Sequence, residues 1–144
     1  MSEKIDLPLG SRDDRSQVET GEFLAVKFND QGLIPVFTVE AETGKPLMQA
    51  FMNAESLALT LKTRQAHYYS RSRQELWLKG ATSGQIQHVQ SLHIDCDQDA
   101  LWMTVVQDGD GCCHVGYKGC FFREIDLDSW DGVNPPKLHM IADP

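Results

Sequence analysis

The stretch from Asp95 to Cys120 limits what this chain can be more than any other part of it. It opens Asp95-Cys96-Asp97-Gln98-Asp99, crosses an apolar run from Ala100 to Val106, and closes Cys113-His114-Val115-Gly116-Tyr117-Lys118-Gly119-Cys120. All four cysteines of the protein lie inside it. Soft thiolates suit zinc, whereas hard carboxylates suit magnesium or manganese. One short segment therefore offers ligands for two different metals.

Strand geometry sorts these ligands. If residues 92–97 are extended, side chains alternate between faces, so Asp95 and Asp97 point one way and Cys96 the other. Two separate sites follow. Asp99 rejoins the carboxylates if the chain turns at Gln98, and three carboxylates plus waters suit an octahedral magnesium. Cys96 needs partners from elsewhere, for which Cys113 and Cys120 are the obvious candidates. Three cysteines leave a tetrahedral zinc one ligand short, as in catalytic rather than structural sites. His114, next to a ligand, is placed to move protons or to complete the shell.

Taken singly, each element has a plainer reading. Asp-Cys-Asp alone suits a strand end with solvated acids. Cys113 and Cys120 have six residues between them, wider than an ordinary zinc knuckle. Cys112 competes with Cys113 for one role, so one of that pair is a bystander.

Composition sets the frame. A length of 144 residues suits one domain with a real core, and 41% hydrophobic with 24% charged residues is ordinary for a soluble globular protein. A net charge of −8 argues against nucleic-acid and anionic-membrane partners. The N-terminus lacks the apolar core of a signal peptide, and no apolar run is long enough to span a bilayer. A cytoplasmic, reducing compartment is expected, in which grouped cysteines read as metal ligands or redox groups rather than disulfides.

Residues 1–20 are polar and read as a flexible N-terminal arm, with a single domain over 21–144. Order is expected from near Phe23-Leu24-Ala25-Val26. Two apolar runs, Leu33–Val39 and Leu47–Met52, flank Glu42-Thr43-Gly44-Lys45-Pro46 and predict a hairpin, with Pro35 at a strand start, edge or bulge. Asn53 caps a helix over Ala54–Arg64, with Leu57 and Leu61 on one face. Strands are expected at Ala66–Ser70, Glu75–Leu78, Gln85–Ile94, Ala100–Val106 and Phe121–Ile125. The sum is an α+β protein, a mostly antiparallel sheet with one main helix.

A local island of base stands out in this acidic chain: Arg71, Arg73 and Lys79, interleaved with Ser70, Ser72, Thr82 and Ser83. Arginine forks with hydroxyls and a Gly-flanked loop suit phosphate. A solvated turn and an ordinary hairpin loop account for the spacing equally well.

Together these segments resemble phosphoribosyl-AMP cyclohydrolases of histidine biosynthesis. The resemblance runs from about Gly32 to Phe122 and rests on Gly32-Leu33-Ile34-Pro35-Val36, Phe51-Met52-Asn53, Tyr68-Tyr69-Ser70-Arg71-Ser72-Arg73, Leu76-Trp77, Lys79-Gly80, Thr82-Ser83-Gly84, Asp95-Cys96-Asp97 with Asp99, and Cys113-His114 with Gly116 and Cys120. It implies that fold as a homodimer, and hydrolytic opening of the N1–C6 bond of 1-(5-phosphoribosyl)-AMP by zinc-activated water. Cys96 from one subunit, with Cys113 and Cys120 from the other, would hold zinc. Asp95, Asp97 and Asp99 would hold magnesium, and His114 would transfer protons. Arg71, Ser72, Arg73, Lys79, Thr82 and Ser83 would lie along the substrate. Some members also carry a C-terminal pyrophosphohydrolase domain, and with so few residues after Cys120 the monofunctional form is the one expected.

Two departures bear on substrate contacts. Ala81 stands where Glu is usual, and Val115, Tyr117 and Gly119 stand where Thr, a base and Ser are commoner. They motivate an alternative, a paralogue acting on another purine nucleotide. A non-catalytic zinc-binding protein is the other alternative.

Overall fold

The computed structural model describes residues 6–109, 111–113 and 117–141. Within them lie two helices, α1 (Arg15–Thr20) and α2 (Ala54–Thr63), and eight strands. The strands are β1 (Ile34–Glu40), β2 (Pro46–Met52), β3 (His67–Ser70), β4 (Glu75–Leu78), β5 (Gln87–Ile94), β6 (Leu101–Gln107), β7 (Arg123–Ile125) and β8 (Leu138–Met140). The class is α+β, as expected, with a second, short helix that the sequence did not signal.

The main sheet has the order β2-β1-β6-β5. The β1–β2 hairpin pairs Ile34 with Met52 and Val36 with Ala50, antiparallel. The β5–β6 pair is also antiparallel, but β1 and β6 run parallel, Val36 opposite Leu101 and Val39 opposite Thr104. Pro35 sits near the start of β1, one residue before pairing with β6 begins, so its missing N–H leaves no gap in the ladder. Separate two-stranded sheets are formed by β3–β4 and β7–β8.

Alternation in β1 and β6 buries Ile34, Val36, Leu101, Met103 and Val105 against Met52, Leu57 and Tyr68. Each such aliphatic side chain contributes about 1.5–3 kcal/mol on removal from water. Beneath the sheet runs a chain of buried polar groups. Thr38 Oγ1 and Tyr68 OH are 2.8 Å apart, Tyr68 OH donates to Gln87 Oε1 at 2.6 Å, and Gln87 Nε2 donates to Gln107 Oε1 at 2.9 Å. Because every member is paired, the group orders the core rather than weakening it.

Helix α2 begins as expected. Asn53 Oδ1 accepts from Ser56 N and Ser56 Oγ accepts from Asn53 N, a reciprocal capping box. One expectation fails: Leu57 is 1% exposed but Leu61 is 46% exposed. The buried face of this short helix is completed instead by Ser56, Ala58 and Thr60, with Thr60 Oγ1 accepting from His67 N at 3.0 Å.

The expected arm carries α1 in its described part. Val18 is buried, and Gly10 N donates to Leu24 O at 2.7 Å. Phe23-Leu24-Ala25-Val26 forms no strand, though Ala25 and Val26 are buried.

Candidate metal centre and cleft

The acid cluster forms in the turn between β5 and β6. The reason differs from strand alternation, because β5 ends at Ile94 and residues 95–100 bend back. Gln98 adopts a left-handed conformation, φ 59°, so the chain does turn where expected. Asp95 Oδ1 accepts from Asp99 N at 2.9 Å and from Ala100 N at 3.1 Å, closing the loop. Ligand atoms of Asp95, Asp97 and Asp99 consequently lie within 4.8 Å of one another.

Three carboxylates this close cannot all ionise freely. Burial works to raise Asp95, but the hydrogen bonds from Asp99 and Ala100 hold its carboxyl below the ordinary range. Asp99 takes the proton instead: sharing it with Asp95, then with Asp97, pushes its carboxyl up to about 6. Hard oxygens, close spacing and solvent access for completing waters fit magnesium.

The cysteines divide between two places. Cys96 is exposed in the same turn, beside the carboxylates. Cys112, Cys113 and Cys120 belong to a hairpin-like segment, in which Cys112 N donates to Lys118 O at 2.9 Å and Cys113 N to Tyr117 O at 3.3 Å. Gly111 permits this close approach: with φ 138°, a Cβ there would stand 2.3 Å from Lys118 Cα. The segment is fixed to the sheet by Cys120 N donating to Leu47 O at 2.6 Å and by a 2.8 Å ion pair from Lys118 to Glu40. Cys112 is buried, its Sγ donating to Leu47 O at 3.4 Å, and hydrogen bonding with Cys120 followed by burial raises its thiol. That is the environment of a packing residue.

One chain does not gather Cys96, Cys113 and Cys120. Among the described residues the acid trio is the one group of three ligands close enough for a metal. Cys120 is pinned to the edge strand β2, Cys96 follows β5, and β1 and β6 lie between. At about 4.8 Å per strand spacing, the three spacings from β2 to β5 give a lateral offset of roughly 14 Å. Sulfurs about one zinc sit within about 2.3 Å of it. The donor set is chemically right for zinc, but within one chain the three thiols do not come together. His114 lies outside the described residues.

Part of the basic island, Arg71 with Ser70 and Ser72, lines a cleft of about 790 Å³ between β2 and the β3–β4 hairpin, walled also by Gln49, Phe51, Tyr69 and Trp77; Arg73, Lys79, Thr82 and Ser83 are not among its walls. That volume is typical of a site for a small organic ligand. Arg71 Cζ stands over the Phe51 ring, 4.1 Å from its centre, and a guanidinium is a planar fork suited to an anion. Arg73 is held by Ser70 Oγ, 3.2 Å from its Nε, and faces Glu75 at 3.6 Å. Lys79 points to the cysteine hairpin, donating to Cys112 O at 2.8 Å. Gly80, φ 90°, closes its loop where a Cβ would meet Ile86 N at 2.4 Å. Thr82 and Ser83 are exposed beyond it, and Ser83 Oγ accepts from Gln85 N.

Sequence reasoning expected the turn at Gln98 but missed its buried amide, and it missed Gln49 and Phe51, the platform for Arg71. Buried glutamine and a turn in left-handed backbone leave no periodic signal. Phe51 carries a weak one, being the aromatic residue of a strand otherwise lined by methionine and leucine.

Comparison with known proteins gives the family. The family model for phosphoribosyl-AMP cyclohydrolase matches residues 48–122, from β2 through the cysteine hairpin. A protein named phosphoribosyl-AMP cyclohydrolase from Chloroherpeton thalassium is 59% identical over 104 residues, 72% of this chain and 74% of that one. One of the same name from Rhizobium rhizogenes is 48% identical over 131 residues, covering 90% and 85%. A third, from Caulobacter vibrioides, is 51% identical over 113 residues, covering 78% and 81%. The match takes in the acid turn, the cysteines and the cleft-lining hairpin together, and the chain belongs to the phosphoribosyl-AMP cyclohydrolase family.

Proposed function

We propose that the protein hydrolyses the N1–C6 bond of 1-(5-phosphoribosyl)-AMP, opening the adenine ring as histidine biosynthesis requires, and that it works as a homodimer. The observation that carries this reading is the split ligand set. Residues that the family match spans as one unit lie on two sides of the sheet, with thiols suited to zinc in both places. A second copy related by a two-fold axis would bring Cys96 of each chain to Cys113 and Cys120 of the other.

The cleft supports the substrate class. Arg71 stands beside Phe51 and the cysteine hairpin beside Leu47, four steps apart along β2, or roughly 13 Å at the rise of a strand. A nucleotide with its phosphate at Arg71 and Arg73 would extend its base toward the cysteines, with Lys79, Thr82 and Ser83 along its flank. Ser70 and Ser72 add hydroxyl donors at the phosphate end. Asp95, Asp97 and Asp99 would hold magnesium, which with the cationic side chains offsets phosphate charge in a protein of net charge −8.

The ring carbon C6 is electron-poor because N1 carries the second phosphoribosyl group. Zinc, when bound by Cys96, Cys113 and Cys120, supplies the Lewis acidity that makes a water nucleophilic at neutral pH. His114 would be the proton-transfer residue, accepting a proton as water adds at C6 and returning it to N1 as the C6–N1 bond breaks. Trp77 and Tyr69, lining the cleft, cover the base from solvent.

The test is direct. The purified protein, supplied with zinc and magnesium, is incubated with phosphoribosyl-AMP while ring opening is followed by absorbance. Turnover that disappears in a folded Cys113→Ser variant supports the proposal. Stoichiometric zinc without turnover would favour a non-catalytic zinc protein. Turnover of a different purine nucleotide alone would favour a paralogue, the reading that Ala81 motivates.

A further inference from the structure

The acid turn is not held by its own residues alone. Gln98, at its apex, is 5% exposed although it is polar and in left-handed backbone. Both ends of its amide reach the N-terminal segment: Oε1 accepts from Ala25 N at 2.6 Å, and Nε2 donates to Val18 O at 2.8 Å. Its backbone joins in, with Lys27 N donating to Gln98 O at 2.8 Å. From the same segment, Arg12 donates to Asp97 O at 3.1 Å and also to Ala25 O. Two adjacent residues of the turn are thus clamped from outside, one of them an acid of the trio.

We infer that the segment from Arg12 to Lys27 is the positioning element of the Asp95–Asp99 cation site, acting through Gln98 and Arg12. This rests on the reading that the turn binds a divalent cation. The segment lies before the family match, which begins at residue 48. Its role follows from geometry. A left-handed, non-glycine residue persists where its surroundings over-determine it. Here those surroundings are Val18, Ala25 and Lys27, and holding Gln98 fixes the bend that carries Asp97 and Asp99 toward Asp95. Groups that orient ligands from behind typically alter metal affinity by about 10–100-fold when removed.

The experiment titrates manganese into the full-length protein and reads free Mn²⁺ by electron paramagnetic resonance, with circular dichroism as the check on fold. Gln98→Gly keeps the left-handed turn accessible but removes the amide clamp. Arg12→Ala removes the second tie from an exposed position and decides the matter if Gln98→Gly does not fold. Asp97→Asn reports on the cation site itself. The expected result is loss of binding in Asp97→Asn, binding about tenfold weaker in Gln98→Gly, and a smaller but measurable weakening in Arg12→Ala with an unchanged spectrum. Parent-like affinity in both clamp variants, with Asp97→Asn defective, would overturn the positioning role and leave the cation site standing. Unchanged binding in Asp97→Asn would remove the cation site and the inference with it.

Discussion

The Asp99 carboxyl stands against both Asp95 and Asp97, and its proton is raised to about 6 by that company. A cation must displace this proton. Binding of Mg²⁺ or Mn²⁺ should therefore strengthen as pH rises through about 6 and weaken below it, as calorimetric titration at several pH values would register. The sign for the metal-free fold is opposite. A carboxyl whose folded pKa exceeds its unfolded value stabilises the fold at pH below about 4, and that contribution is lost as pH rises through about 6. Asp99→Asn should flatten both dependences. In the cleft, Arg71 rests on Phe51, and Arg71→Lys keeps the charge while losing the planar fork. Steady-state kinetics should show KM raised roughly tenfold, the loss of one charge-assisted hydrogen bond, with kcat changed less.

At the scale of elements, much was legible and the exceptions are instructive. The Asn53 cap was readable because Asn precedes an apolar-periodic run, and the reciprocal bond with Ser56 is there. Asn53→Ala should lower stability by about 1 kcal/mol in denaturant unfolding. The β1–β2 hairpin was readable from two apolar runs about a Gly-containing turn. Leu61 was misread because a ten-residue helix packs too narrow a stripe to cover it. Helix α1 escaped notice because five polar residues around a single buried Val18 carry no period. In the acid turn the bend at Gln98 was anticipated and is there, but strand alternation was not the cause at Asp95 and Asp97, because β5 ends at Ile94 and hydrogen bonds to Asp95 close the loop. The core network was invisible too. Tyr68→Phe leaves Thr38 and Gln87 short of a partner, so chemical denaturation should show a loss of about 1–3 kcal/mol.

For the molecule as a whole, topology decides what one chain can do. A parallel β1–β6 pair at the centre puts Cys96 and Cys120 on different sides of two strands, a fact that spacing along the sequence could not reveal. Candidate ligands were readable from residue type, whereas the separation of Cys96 from Cys120 needed the sheet order. No helix among the described residues is long and apolar enough to cross a membrane. The central claim is that a working site takes Cys96 from one copy and Cys113 with Cys120 from another. It is tested by mixing Cys96→Ser with Cys113→Ser under conditions where subunits exchange, then assaying ring opening of phosphoribosyl-AMP. Each variant alone should be inactive. The mixture should recover about a quarter of parental activity, because half the dimers are mixed and each has one intact site. Verified exchange with no recovered activity would contradict the account.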